Sequence, residues 1–413
     1  MKLSSPDLKT LWALPPLLCG SAVMFGLFHL ARDRAAWDAA HWAIELPHWP
    51  VFYDLHILLA GLRVHETGTD PLALAPESVG TLYNYPRAWL WFAALGPQYL
   101  PAPVLGLVLG LGWILALVLS ADVRGPGLAV ALSLALLSPP VLLALERGNS
   151  DLVVALLALL AALASTRFAH AAPFLITAAG ILKLFPVSAL ALGLLSAPGK
   201  NRFRLLPWCV GAAVFAVYWA VHFPDLLRIS TKTPRVTGAS FGSNVVPMRY
   251  APHLDAWFDI TLGPAAVLAL ATLLCSVWLA LAACLGWRLG ATFAPLLAAR
   301  RAVALFAVSA LLFVSAFALG NNFAYRFIVV LPALPLLWHA VTSNHLALAV
   351  WQWAAVSLAA LAISLFAPLN ATGRTFVFAQ LAHWFLVATL AVGVVALFRA
   401  HRDQAIRPAA AAI

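Results

Sequence analysis

The stretch AAPFLITAAGILKLFPVSALALGLLSA, residues 171–197, decides how this chain is threaded. It is apolar enough for one long membrane helix, yet Lys183 stands at its middle and Pro186 follows three residues on. A lysine at the centre of a span costs about 2.5–3.5 kcal/mol on insertion scales. A proline removes a backbone donor and clashes with the preceding turn. Two short limbs with a break between them meet both constraints. Charge bias agrees: a single span moves Lys200, Arg202, Arg204, Arg288, Arg300, Arg301 and the tail residues Arg399, Arg402 and Arg407 to the outside, whereas a hairpin keeps them cytoplasmic with the N-terminus. The hairpin is the expected form, with Lys183 at its outer tip.

The rest of the chain supports a membrane reading. Of 413 residues, 63% are apolar and 10% charged, against about 45–50% and about 25% in soluble domains, and the mean hydropathy is +0.93. Secreted, disordered and nucleic-acid-binding classes are excluded. The net charge of +10 comes with no long Lys/Arg run, so lipid phosphates are its expected partners. Cys19, Cys209, Cys275 and Cys284 lie in apolar stretches without a CxxC pair and read as buried thiols.

Besides the hairpin, apolar runs of spanning length fall near 11–30, 101–120, 127–145, 151–165, 205–222, 264–285, 303–319, 326–341, 346–366 and 376–398. The fold expected is an all-α polytopic membrane protein of about twelve segments, forming one domain over residues 1–413. A large extracytoplasmic loop with interfacial helices covers 31–86, the broken-helix hairpin 171–197, and a second outer loop 223–262. The first helix follows Lys2 and Lys9 and is read as retained, with its N-terminus in the cytoplasm. The first loop carries Asp33, Asp38, Glu45, Asp54, Glu66, Asp70 and Glu77. Only Asp7, Asp122 and Asp403 are left for the cytoplasm, so function is expected on the outer face.

Four polar clusters interrupt the apolar pattern: Tyr53-Asp54-Leu55-His56 with Gly68-Thr69-Asp70-Pro71 after it, Tyr83-Asn84-Tyr85-Pro86-Arg87, Glu146-Arg147-Gly148-Asn149-Ser150-Asp151, and Lys183-Leu184-Phe185-Pro186. Charges near membrane depth are functional candidates by default. The order and spacing of these clusters over residues 50–190 resemble glycosyltransferase family 87, a group of C-type (GT-C) membrane glycosyltransferases. The later Ser240-Phe241-Gly242-Ser243-Asn244 and Asn322-Phe323-Ala324-Tyr325-Arg326 are compatible but less specific.

The resemblance implies a GT-C fold and transfer of a sugar, often mannose or another hexose, from a polyprenyl-phosphate donor to a glycan or lipid-linked acceptor, with inversion. It places this on the outer side of a bacterial cytoplasmic membrane and puts the family's loop acid on Asp54 as general base. Leu72 and Arg87 stand where a Tyr and a second Pro are frequent, which leaves sugar and acceptor open.

The residues support such chemistry independently. An attacking hydroxyl must lose its proton to a nearby carboxylate. Asp54 is the candidate, with Asp70 as the alternative. A departing phosphate gains negative charge that Arg and Lys stabilise best where water is scarce. Lys183, Arg147 and Arg326 are the expected phosphate clamp, Arg249 and Arg87 are further candidates, and Asn149, Asp151, Asp70 and Tyr85 are expected to help form the substrate site. Plainer roles compete. Asp54 could flank a helix start and Asp70 shape a turn; Asn149 or Ser150 could cap the next helix while Glu146 neutralises Arg147; Arg326 could snorkel to headgroups. His41, His48, His56, His65 and His253 show no metal-binding spacing, and neither HExxH nor DxD occurs. No cofactor is required, although a divalent metal is compatible. A lipid-linked saccharide flippase is the alternative class, since it also needs polar groups in broken helices.

Overall fold

The computed structural model of the protein describes residues 11–40, 49–73, 83–168, 170–196, 205–233, 237–259 and 261–410. Lys2, Asp7, Lys9, His41, Glu45, His48, Glu77, Lys200, Arg202 and Arg204 lie outside these residues, as does the side chain of Arg407.

The protein is an all-α polytopic membrane protein. Its helices are α1 (Leu14–Leu30), α2 (Arg34–Ala40), α3 (Tyr53–Glu66), α4 (Ala102–Ala121), α5 (Pro126–Leu136), α6 (Pro139–Arg147), α7 (Asp151–Arg167), α8 (Ala171–Leu182), α9 (Leu192–Ser196), α10 (Leu206–Val221), α11 (Phe223–Lys232), α12 (Val245–Phe258), α13 (Pro264–Leu289), α14 (Arg300–Ala318), α15 (Leu334–Thr342), α16 (Leu348–Phe366) and α17 (Gly373–Ala410). Short 3-10 segments, among them Arg87–Leu95, Phe185–Ala191 and Ala324–Val329, join them. Among the described residues, six helices are long and apolar enough to cross a membrane, or eight if two bent pairs are each one span. Leu268, Leu273, Val277, Leu281 and Leu285 of α13 and Val214, Val217 and Val221 of α10 are exposed. Apolar surface this continuous suits lipid and not water.

The bends fall where proline removes hydrogen bonds. The α5–α6 pair turns by 58° at Ser138, ahead of Pro139 and Pro140, and α10–α11 turns by 72° at His222, ahead of Pro224. The span expected near 326–341 is two 3-10 pieces followed by α15, with Pro332 and Pro335 near its middle.

The break at Lys183 has the form of a reversal. Lys183 is extended after α8, and a side chain at Gly211 of α10 would meet Thr177 and the Pro173 carbonyl of the first limb and Leu190 of the second. Residues of both limbs at one level mean that the chain doubles back. Carbonyls freed by the break are not left bare: Trp89 Nε1 donates to Leu182 O at 3.0 Å and Trp219 Nε1 to Gly180 O at 3.2 Å, while Ser315 Oγ donates to Phe185 O at 2.8 Å. Irregular backbone at membrane depth persists only with such partners.

Chain direction defines two ends. Helix α4 runs from Gly106, packed on Phe52, to Leu119, whose carbonyl accepts Arg301. Helix α14 runs back from Arg301 to Ser315 beside Phe185. Helix α17 runs from Phe376, which lies under Arg249, to Arg399, which donates to Trp287 O. Among the described residues, Arg124, Arg288, Arg300, Arg301, Arg399 and Arg402 thus gather at one end with only Asp122 and Asp403 as carboxylates, and the four polar clusters gather at the other.

Helix α3 is packed inside the protein: Leu55, Ile57, Leu58, Leu59 and Leu62 are all buried, against α4 and α6 among others. The expectation of four buried thiols needs correction. Cys209 and Cys284 are exposed on lipid-facing helices; of the four thiols, all free, only Cys275 is buried and Cys19 is partly so.

Candidate functional site

The site begins with backbone constraint. Gly148 ends α6 in the left-handed conformation (φ +56°), and Asn149 N–H closes back on Ala144 O at 3.2 Å. A side chain at Gly148 would press on Phe52 and Leu55. Phe52 itself, fully buried, holds φ +65°, a conformation that costs a non-glycine residue roughly 1–3 kcal/mol. Its N–H donates to Glu146 O at 2.6 Å. This paired constraint sets the start of α3 against the α6–α7 turn, and Asp54 is held there.

Asp54, 6% exposed, accepts hydrogen bonds from Arg147 Nη2 and Asn149 Nδ2. Asn149 Oδ1 also accepts the Asp151 N–H at 2.8 Å, so one amide ties the Asp54 carboxylate to the backbone of Asp151. Asp151, 0% exposed, lies 3.3 Å from Lys183 Nζ and 3.1 Å from Arg326 Nε. Tyr85 joins the two halves: its hydroxyl donates to Asp54 O at 3.2 Å, and its ring lies under Lys183 Nζ, 5.6 Å from the centroid. Burial, reinforced by the Asp54 charge, pushes the Tyr85 phenol well above its ordinary value, so the hydroxyl remains a donor. The Arg147 guanidinium covers the Tyr53 ring and that of Arg326 covers Phe185.

Three cations and two carboxylates therefore meet from four separate stretches of chain. The carboxylates are the buried members, while the cations keep 14–19% of their side-chain surface and stand above them. Arg147 Nε, Ser150 Oγ and Glu146 Oε1 are buried and have no hydrogen-bond partner among the described residues. Spare polar capacity of this kind is where a ligand or water is expected to bind.

Asp54, Tyr85, Arg147, Asn149, Asp151, Lys183 and Arg326 are thus brought together. Arg87, Asp70 and Arg249 are not part of this group. Arg87 binds Asp225 Oδ2 through Nε at 2.9 Å and Asp70 Oδ2 through Nη2 at 2.9 Å. Asp70 also accepts Leu72 N–H at 3.1 Å, and Lys232 Nζ donates to Leu72 O at 2.7 Å, so the Gly-x-Asp-Pro turn is tied to α11. Arg249 approaches Thr237 Oγ1 at 3.4 Å and covers the Phe376 ring. Both arginines are at the site's end of the molecule but turned to other partners.

The expected Glu146–Arg147 neutralisation is replaced by the Arg147–Asp54 pair, since the helix end aims adjacent side chains differently. Asp54 lies in the first turn of α3, flanking the helix start, and no side-chain cap bond is present there. Sequence reasoning missed Asp225, whose only signal was an acid just after the apolar run 205–222. It also passed over the pairing of the two later motifs: Ser240 and Phe241 form an antiparallel ladder with Phe323 and Asn322. Gly242, at φ +140°, is required there, because a side chain would overlap Gly320 O. This ladder delivers Arg326 to Asp151. Among the described residues, no group of three or more His, Cys, Asp or Glu side chains is arranged to ligate a metal.

Comparison with protein-family models, with curated proteins and with solved structures found no match.

Proposed function

We propose that the protein is a GT-C-type membrane glycosyltransferase, resembling family 87, that moves a hexose such as mannose from a polyprenyl-phosphate donor to a glycan or lipid-linked acceptor with inversion. The observation that carries this reading is the meeting of Asp54 with Arg147 and of Asp151 with Lys183 and Arg326 at one end of the bundle. Adding the shorter helices α1, α7 and α8 and the limb Phe185–Leu194 to the eight spans yields the twelve segments such a fold would have. The basic end is then cytoplasmic and the charge cluster extracytoplasmic, in a bacterial inner membrane.

In this reading the donor phosphate is held by Arg147, Lys183 and Arg326, which stabilise the charge it gains as the C1–O bond breaks. Asp54 takes the proton of the acceptor hydroxyl as the new glycosidic bond forms on the opposite face of C1. A carboxylate bound by a guanidinium is a weak base. A phosphate drawing Arg147 toward itself would loosen that pair, so donor binding itself prepares Asp54. General-base help of this kind is worth about 10²–10⁴-fold.

Purified protein carrying Asp54→Asn should stay folded and lose transfer from a polyprenyl-phosphate sugar by about that factor; undiminished turnover removes Asp54 from the reaction. The two bent helix pairs favour a second reading, a lipid-linked saccharide flippase. With labelled donor in proteoliposomes, a new covalent sugar bond supports the transferase, and a change of leaflet without one supports the flippase.

A further inference from the structure

At the same end of the molecule, away from the Asp54 cluster, an open groove of about 410 Å³ runs between the end of α16 and the start of α17. Its floor and walls are apolar, with Ile363, Phe366 and Phe378 respectively 44%, 50% and 68% exposed. Arg374 and Thr375 stand at its head. Arg374 and Phe378 are one helical turn apart on the same face, so the ring lies about 6 Å deeper than the arginine's backbone. The volume is in the range of ordinary ligand pockets, about 300–1,000 Å³.

What singles out this groove is its cation. Every other described arginine at this end has a partner in the fold: Arg34 an aspartate, Arg63 a carbonyl, Arg87, Arg147, Arg228 and Arg326 carboxylates, Arg249 a hydroxyl and a ring, Arg32 a ring. Among the described residues Arg374 alone of these arginines has no ion-pair, hydrogen-bond or ring partner. It also lies in the first turn of α17, which contains no acid, where the helix dipole disfavours a cation. Among the described residues no negative group stands at this point, and the lipid-facing groove below it supplies the other half of an amphiphile's shape.

We infer that this groove binds a membrane lipid with a net-anionic phosphate headgroup. The phosphate is forked by Arg374 with Thr375 beside it, and one hydrocarbon chain lies along Ile363, Phe366 and Phe378. The site is separate from the charge cluster and stands or falls without the transferase reading.

The test uses the purified full chain, delipidated in mild detergent, and native mass spectrometry with dioleoyl phosphatidylglycerol and dioleoyl phosphatidylcholine. Wild type should retain the anionic lipid about five-fold more than the zwitterionic one, the ratio contributed by roughly one basic side chain at an anionic surface. Arg374→Gln should abolish the preference, Thr375→Trp should fill the groove and lower retention of both lipids, and Arg300→Gln at the opposite end should change neither. Equal retention by wild type, a preference surviving Arg374→Gln, retention unaffected by Thr375→Trp, or loss of preference in Arg300→Gln would each overturn the assignment. Displacement by millimolar inorganic phosphate would overturn it too, since a headgroup alone would then suffice.

Discussion

Asp151 is buried completely between Lys183 and Arg326, and its charge is what allows two cations to stay at membrane depth. Removing one member of a buried ion pair typically costs about 3–5 kcal/mol, because the others lose their compensation. Asp151→Asn should therefore lower the thermal midpoint in detergent markedly, and Lys183→Met added to it should recover part of the loss. Equal midpoints for wild type and Asp151→Asn would show that Asp151 does not compensate the two cations. At this scale the sequence is informative in one direction only. Arg147, Lys183, Asp151 and Arg326 stand out because a charge in lipid is expensive wherever it occurs. Which charge meets which depends on distant helices: Arg147 turns to Asp54 and not to Glu146, and Arg87 finds Asp225 138 residues away, a pairing that no local pattern encodes.

Among elements, the break after Leu182 was readable because Lys183 and Pro186 together deny a straight helix. The bends of α5–α6 and α10–α11 follow from prolines in the same way. The burial of α3 was not readable. Its apolar residues lie on almost every face, so periodicity could not tell a helix inside the bundle from one on its surface. The two-residue strands at Ser240 and Asn322 are too short for any pattern and exist because Gly242 and Gly320 let their backbones meet. At the hairpin tip, Trp89 and Trp219 supply the donors that the broken helix needs. Trp89→Phe keeps most of the packing but leaves Leu182 O unpaired, which should cost about 1–3 kcal/mol in unfolding measurements; an unchanged midpoint would show that the indole N–H contributes nothing at the break.

Across the whole molecule, charge is divided between two ends, and labelling can test that division. In a background lacking the four native cysteines, single cysteines at 170 and 301 should react with an impermeant maleimide from one face of sealed vesicles, and those at 66 and 228 from the other. Reactivity of 170 and 301 from opposite faces would dissolve the hairpin and scatter the cluster. The pairing of α7 with α8 also bears on how the polypeptide is made. Asp151 opens the first of these helices and Lys183 closes the second, so a translocon can release the two into lipid with the charges at their shared tip already paired. Arg326 is translated much later. A nascent chain stalled between these points holds a balanced pair, and only the finished polypeptide acquires the surplus positive charge through which that tip could attract a phosphate.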